Sequence, residues 1–316
     1  MSADRHTPVL LERCLELLAP AIDAPNGVLV DATLGLGGHT EAALTRFPEL
    51  TVVGLDRDSD ALALASERLE PFGDRFRPVH TVYDRVRDAL DELGIDRVAG
   101  VLFDLGVSSM QLDEAERGFA YSQDAPLDMR MDRTTGATAA ELLASYSEAE
   151  LRRIFHRYGE EQLAGRYARR IVERRAEAPI ERSEQLNRII ADATPQAARR
   201  PGHPAKRVYQ ALRIEVNAEL AALESALPAA IDALAVGGRI VVLAYQSLED
   251  RIVKRELAAR SRSTAPAGLP IELPEHAPEL RLLVRGAEQA DEAERARNPR
   301  AIPVRLRAAE RLRDVA

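Results

Sequence analysis

The chain has 316 residues, 46% apolar and 30% charged, which fits a soluble globular protein of one large domain or two. With 43 basic and 51 acidic residues its formal charge is −8, an average that argues against a basic nucleic-acid binder. A single cysteine, Cys14, excludes internal disulfides and a cysteine-based zinc site; the six histidines do not pair at the helical spacing of metal ligands, so no metal is expected.

The chain opens without a secretory pattern, and no apolar run reaches the roughly 18 residues of a membrane span, so a cytoplasmic protein is expected. After an amphipathic stretch from Val9 to Leu18, short apolar runs alternate with helical patterns. Strands are expected at Gly27–Asp31, Thr51–Leu55, Arg75–Val79 and Val98–Phe103; helices are expected at His39–Phe47, Asp60–Leu69 and Val82–Leu93. This rhythm predicts an α/β fold, a mostly parallel sheet with helices on both faces. From about Gln111 to Pro204 it stops, and only helical patterns follow: Glu141–Tyr146, Glu148–Arg157, Glu161–Arg175 and Ser183–Ala193. Ser147 with Glu150 has the spacing of a capping box, and Ser183 is an N-cap candidate. The stretch 111–204 is therefore expected to be an inserted all-helical domain, with 1–110 and 205–316 forming one discontinuous domain. A helix over Val216–Leu234, a turn at Gly237-Gly238, a strand at Arg239–Tyr245 and a helix at Leu248–Ala259 resume the alternation. Pro266, Pro270, Pro274 and Pro278 mark a linker. Leu280–Arg285 and Ile302–Arg307 are the candidates for the last strands, with Glu288–Arg297 between them too charged for a core.

The first strand runs into Asp31-Ala-Thr33-Leu-Gly35-Leu-Gly37-Gly38-His39 and then a helix. Glycines let a ligand approach the backbone, and the helix start offers free N–H groups. Asp56 ends the next strand, 19 residues after Gly37, where a carboxylate can accept from ribose hydroxyls. A dinucleotide fingerprint would need glycine at Thr40, whereas an acid ahead of the glycines suits the D-x-G-x-G-x-G turn of class I methyltransferases, with Thr33 in place of the first glycine. The fourth strand ends at Asp104, followed by Leu-Gly-Val-Ser108-Ser109-Met-Gln111. Ligands bind beyond the carboxyl ends of such strands; Asp104 and Ser108 either serve that site or cap a turn.

Asp104–Ser109, Gln111–Phe119, Pro126–Asp132, His203–Arg213, Ser247–Lys254 and Asn298–Arg300, together with His6–Leu11 and Gly37–His39, resemble the RsmH (MraW) family from the N-terminus to about Arg313. The resemblance implies a class I, Rossmann-like S-adenosylmethionine-dependent methyltransferase with a helical insertion, acting on the exocyclic N4 of a cytosine in 16S ribosomal RNA. It implies S-adenosyl-L-methionine as cofactor, with contacts at Gly37, Gly38, His39, Asp56, Tyr83, Asp104 and Gln111, Tyr83 lying near the adenine. The small ribosomal subunit is the expected context, and the oligomeric state stays open, a homodimer included. Two departures stand out. Tyr245-Gln246 replaces a Phe-His or Phe-Asn pair before Ser-Leu-Glu-Asp-Arg, and Ala301-Ile-Pro303 follows Asn-Pro-Arg, so the last strand is expected to start later.

Chemistry narrows the acceptor atom. Methylation of pyrimidine C5 needs a cysteine nucleophile, and Cys14 lies in the opening helix, away from both strand-end sites. An exocyclic amine needs no covalent step, only acceptors that localise its delocalised lone pair and match the growing positive charge. Asp104 is the candidate acceptor, with Ser108 and Asp128 as further catalytic candidates. Pro126–Asp132 is a candidate clamp on a flipped base or its phosphate, with Arg130 as its cation, or else a salt-bridged loop. His203, Lys206 and Arg207 are candidates for RNA phosphate, and Tyr245, Gln246 and Ser247 for the wall of a base pocket. A nicotinamide-dependent oxidoreductase and a non-catalytic S-adenosylmethionine-binding assembly factor remain as alternatives. Finally, residues 151–213 hold 14 Arg and one Lys against six Glu and one Asp, a net +8 that leaves −16 on the rest. That basic stretch is expected to track an RNA backbone beside the cofactor cleft.

Overall fold

The computed structural model describes residues 8–198, 203–266 and 273–314. His6 and Thr7 of the opening motif, Arg199, Arg200 and Pro270 lie outside the described residues. Contacts divide the chain into two compact units, 1–106 with 221–316, and 107–220.

The first unit contains α1 (Leu11–Ile22), β1 (Val28–Asp31), α2 (Gly38–Arg46), β2 (Thr51–Asp56), α3 (Ser59–Leu69), β3 (Phe76–His80), α4 (Val86–Glu92) and β4 (Val98–Asp104). The second contains α5 (Ser109–Asp113), α6 (Ala139–Ser145), α7 (Glu148–Arg157), α8 (Ala164–Arg175), α9 (Ser183–Ala193) and α10 (Lys206–Asn217). Helix α11 (Glu219–Ala233) leads back to β5 (Leu234–Ala244), α12 (Ser247–Arg260), β6 (Leu280–Leu282), α13 (Glu292–Arg297) and β7 (Arg305–Arg311).

One seven-stranded sheet has the order β3-β2-β1-β4-β5-β7-β6. Strands β1 to β5 pair in parallel, whereas β7 runs antiparallel to both β5 and β6. Side chains alternate between two apolar layers, as a period of two requires. Leu29, Val52, Leu102, Val241 and Leu243 join the core with α1 to α3, and Val30, Val53, Phe103, Ile240 and Val242 join the core with α4, α11 and α12. This is a Rossmann-like α/β architecture, a mostly parallel sheet with helices on both faces. Strand order reverses between β1 and β4, so the carboxyl ends carrying Asp31 and Asp104 are neighbours at the switch point, where open α/β sheets bind ligands.

The helical unit has its own core, built from Leu143, Leu151, Phe155, Tyr167, Ile171, Leu186, Ile190 and Leu212. Three differences from expectation have local causes. The helix expected over Val216–Leu234 is two: Ala218 adopts φ 50°, ends α10, and lets α11 begin at Glu219. Because Val208, Tyr209 and Leu212 are buried in the helical core, that unit extends past Pro204 to residue 220. Gly237-Gly238 does not precede β5 but interrupts it, with a register shift against β4 and Gly237 at φ 83°. The last strand does start late, at Arg305.

Caps follow the expected chemistry with one shift. Ser147 and Glu150 form their capping box, whereas Ser183 is the first residue of α9 and its buried hydroxyl has no partner. The start of α9 is satisfied by Gln185 Oε1, which accepts from the N–H groups of Glu181 and Arg182, and by Asp124 Oδ1, which accepts from Glu184 N–H. No helix among the described residues is long and apolar enough to cross a membrane.

Candidate active site at the carboxyl ends of β1, β2, β4 and β5

The glycine turn after β1 is held from several sides. Gly35 and Gly37 take φ 52° and 74°, and an added Cβ at Gly38 would lie 2.5 Å from Pro8 Cγ. Opening segment and turn thus fit only with glycine at 38. Arg68 pairs with Glu41 and donates to the Leu36 carbonyl at 3.1 Å. Asp56 Oδ2 accepts the Gly35 N–H at 2.7 Å and Oδ1 that of Asp58 at 2.8 Å. Burial outweighs these two donors and pushes the Asp56 carboxyl up to about 6.

Beneath the turn, the buried Asp31 accepts from the Thr40 hydroxyl at 2.7 Å. Burial raises the Asp31 carboxyl despite His39 and the Thr40 donor. Thr40, the residue that breaks a dinucleotide fingerprint, therefore has a positive task. So does Thr33: its hydroxyl oxygen accepts the Asp104 backbone N–H at 2.6 Å, tying the β1 loop to the end of β4.

Asp104 is the centre of this group, with its side chain 27% exposed. The Tyr245 hydroxyl donates to Oδ1 at 2.7 Å, and His39 Nδ1 lies 3.7 Å from Oδ2. His39 Nε2 is 3.2 Å from the Val9 carbonyl, which can only accept, so Nε2 carries a proton and Nδ1 faces the carboxylate. Burial, then the Asp104 charge, push the Tyr245 phenol well above its ordinary value, so it stays a donor. Tyr83 packs edge-on against Phe103 of β4, ring centroids 5.7 Å apart. Cys14 is fully buried and its thiol is pushed well up by burial and by Asp104, unlike a nucleophilic cysteine.

Next to Tyr245, the Gln246 side-chain oxygen is buried without a hydrogen-bond partner. Glu249 turns back to accept the N–H groups of Tyr245 and Gln246 at 2.9 and 3.1 Å, closing the N-terminus of α12 that exposed Ser247 begins. Asp250 accepts from Arg307 at 2.7 Å and from Arg305 at 3.0 Å, clamping α12 to β7. The acids of Ser-Leu-Glu-Asp-Arg are thus structural.

The other candidates belong to the helical unit. Ser108 Oγ accepts the Gln111 N–H at 3.2 Å and Gln111 Oε1 accepts the Ser108 N–H at 3.1 Å, a capping box for α5. Asp128 and Arg130 pair with each other through two hydrogen bonds of 2.7 and 3.0 Å. Burial raises the Asp128 carboxyl, but the Arg130 guanidinium outweighs it and holds it below the usual range. His203 stacks on Tyr121 with centroids 4.8 Å apart, Lys206 is exposed, and Arg207 donates to the Glu160 carbonyl. The charge expectation needs correction: residues 107–220 hold 18 basic and 18 acidic residues, so the helical unit as a whole is neutral and the other unit carries −8. The +8 belongs to residues 151–213 alone, and part of it is internally paired, as in Arg169 and Arg170 with Glu173.

Sequence reasoning placed Asp104, His39, Asp56 and Tyr245 at this end of the sheet but missed Thr33 as an acceptor and the Tyr245–Asp104 bond. Thr33 in a glycine position and Tyr in a Phe position were the available signals.

The family model of the MraW methylase family matches residues 3–312. The ribosomal RNA small subunit methyltransferase H of Leifsonia xyli subsp. xyli is 70% identical over 310 residues, covering 98% of this chain and 95% of that protein. The protein of the same name from Clavibacter michiganensis subsp. michiganensis is 69% identical over 98% of both chains, and that from Streptomyces avermitilis 60% identical over 99% of both. A match spanning nearly every residue, on a sheet with its acids gathered at the switch point, leads to one conclusion: the chain belongs to the MraW methylase family.

Proposed function

We propose that the chain transfers a methyl group from S-adenosylmethionine to the exocyclic N4 of a cytosine in the 16S RNA of the small ribosomal subunit. The observation that carries this is the 70% identity, across 98% of the chain, to a protein named ribosomal RNA small subunit methyltransferase H.

The residues fit the cofactor. Asp56 bears a burial penalty that hydroxyl donors of a ribose would offset, and Gly35 and Gly37, with positive φ, shape the turn beside it. His39 and Tyr83 complete this set, with Gly38 shaping the turn. When bound, S-adenosylmethionine supplies a methyl group on a positively charged sulfur.

The chain's own residues prepare the acceptor. An exocyclic amine is a poor nucleophile because its lone pair is delocalised into the ring. The Asp104 carboxylate accepts from the amine N–H, localises the lone pair, and lies close to the positive charge that builds on nitrogen. Tyr245, Gln246 and Ser247, at the end of β5, wall the base pocket. With its cysteine buried and its thiol held protonated, the chain lacks a nucleophile for C5 chemistry. The Asp128–Arg130 pair and the His203, Lys206 and Arg207 cluster serve RNA binding, Ser108 and Gln111 holding the turn after Asp104.

The test is methyl transfer from labelled S-adenosylmethionine to small subunits and to naked 16S RNA, followed by digestion to nucleosides. N4-methylcytidine is expected; label in 5-methylcytidine, or none, overturns the assignment.

A further inference from the structure

We propose that Tyr245 is a positioning residue for methyl transfer: its hydroxyl fixes the Asp104 carboxylate in its accepting orientation and favours its ionised form. This rests on Asp104 being the acceptor, as proposed above.

Both ends of the Tyr245–Asp104 bond are anchored independently. Asp104 pairs with Leu243 in the β4–β5 ladder, and its N–H is fixed to Thr33. Tyr245 follows β5 directly, and its N–H is fixed to Glu249 of α12. Gly106, at φ 101°, bends the chain after Asp104, and a Cβ there would touch the Tyr245 ring at 3.7 Å, so the ring lies along that bend. The hydroxyl then meets Oδ1 at 2.7 Å, across 141 residues of sequence. Here the hydroxyl that distinguishes Tyr245 from the Phe of the resembling family acts as a donor.

Among the described residues, the charged and titratable groups near Asp104 include His39 from α2, Asp31 from β1, Cys14 from α1 and Tyr245 itself, with Glu249 beyond the phenol. A donor on Oδ1 favours the carboxylate, because a hydrogen bond to the charged form stabilises it. A protonated Asp104 would lose the acceptor strength that the amine requires. Since burial and the neighbouring carboxylate keep the phenol protonated, Tyr245 acts by donating and not as a base.

Tyr245→Phe removes the donor and keeps the ring. Hydrogen bonds to charged groups of this kind correspond to about a 10- to 100-fold effect, so kcat is expected to fall by about that factor. The KM for RNA and the cofactor Kd should change less than about twofold, and the acidic limb of the kcat–pH profile should move to higher pH. Replacing Tyr245 with 3-fluorotyrosine keeps the donor and is expected to retain kcat, which separates loss of the bond from damage to packing. Unchanged kcat and pH limb in Tyr245→Phe, or an equal loss in the fluorotyrosine protein, would overturn the proposal. Asp104→Asn is measured in parallel. If it keeps full activity, the acceptor assignment itself fails; if it is inactive while Tyr245→Phe behaves as wild type, only the positioning role fails.

Discussion

The carboxyl of Asp56 offers a quantitative handle on cofactor binding. It accepts two backbone N–H groups, yet burial leaves it at about 6, far above an ordinary aspartate. Ribose hydroxyls would donate to the ionised form, so protonation and cofactor compete. With a value of about 6, the group is about nine-tenths protonated at pH 5 and almost fully ionised at pH 7.5. The cofactor Kd is therefore expected to rise about tenfold between pH 7.5 and pH 5. Asp56→Asn should bind more weakly at pH 7.5 and lose this dependence. Calorimetric titration of S-adenosylmethionine into both proteins at the two pH values measures it. Equal Kd values for the wild type, or the same pH dependence in the variant, would refute the assignment. Without cofactor the sign reverses. A carboxyl whose folded value lies above its unfolded value of about 4 costs stability once ionised, so its contribution improves as pH falls from about 6 toward 4.

Three further outcomes are expected. Asp250→Ala leaves Arg305 and Arg307 without their buried carboxylate and should cost about 3 kcal/mol in urea unfolding, whereas a cost below about 1 kcal/mol would show that α12 does not depend on this clamp. Burial raises Asp250 but its arginines hold it below the ordinary range, so its contribution is present above about pH 4 and is lost as pH falls through the folded value. Gly38→Ala drives a Cβ into Pro8 and should weaken cofactor binding with the sheet intact, read by calorimetry beside circular dichroism; unchanged affinity would show that the opening segment yields freely. RNA affinity should fall steeply with salt through residues 151–213, and reversing Arg152 and Arg166 to Glu should flatten that slope in a filter-binding series, an unchanged slope removing them from the interface.

Much of the fold was legible because its signals are local. Apolar runs ending at Asp31, Asp56 and Asp104, with a short strand pattern at Arg75–Val79, mark a parallel sheet, and the loss of that rhythm after Gln111 marks the helical unit. The break at Ala218 was hidden because alanine carries no turn chemistry; only packing of both helices imposes its left-handed backbone. At the site, Asp104 and His39 were visible from their positions after strand and turn. Their wiring was not, since Tyr245 reaches Asp104 across 141 residues and Arg307 reaches Asp250 across 57. Ser108 and Gln111 carry the S-x-x-Q spacing of a capping box, a local signal for the start of α5. The charge of the helical unit differs from that of its arginine-rich stretch: residues 151–213 carry +8, and the acids at 113–150 together with Glu215 and Glu219 bring residues 107–220 to neutral.

The most direct test of the central claim is mass spectrometry of small-subunit RNA nucleosides from cells with and without this gene. The account predicts that N4-methylation of one cytosine disappears on deletion, returns with the wild-type gene, and does not return with Asp104→Asn. Unchanged N4-methylcytidine in the deletion strain would contradict it.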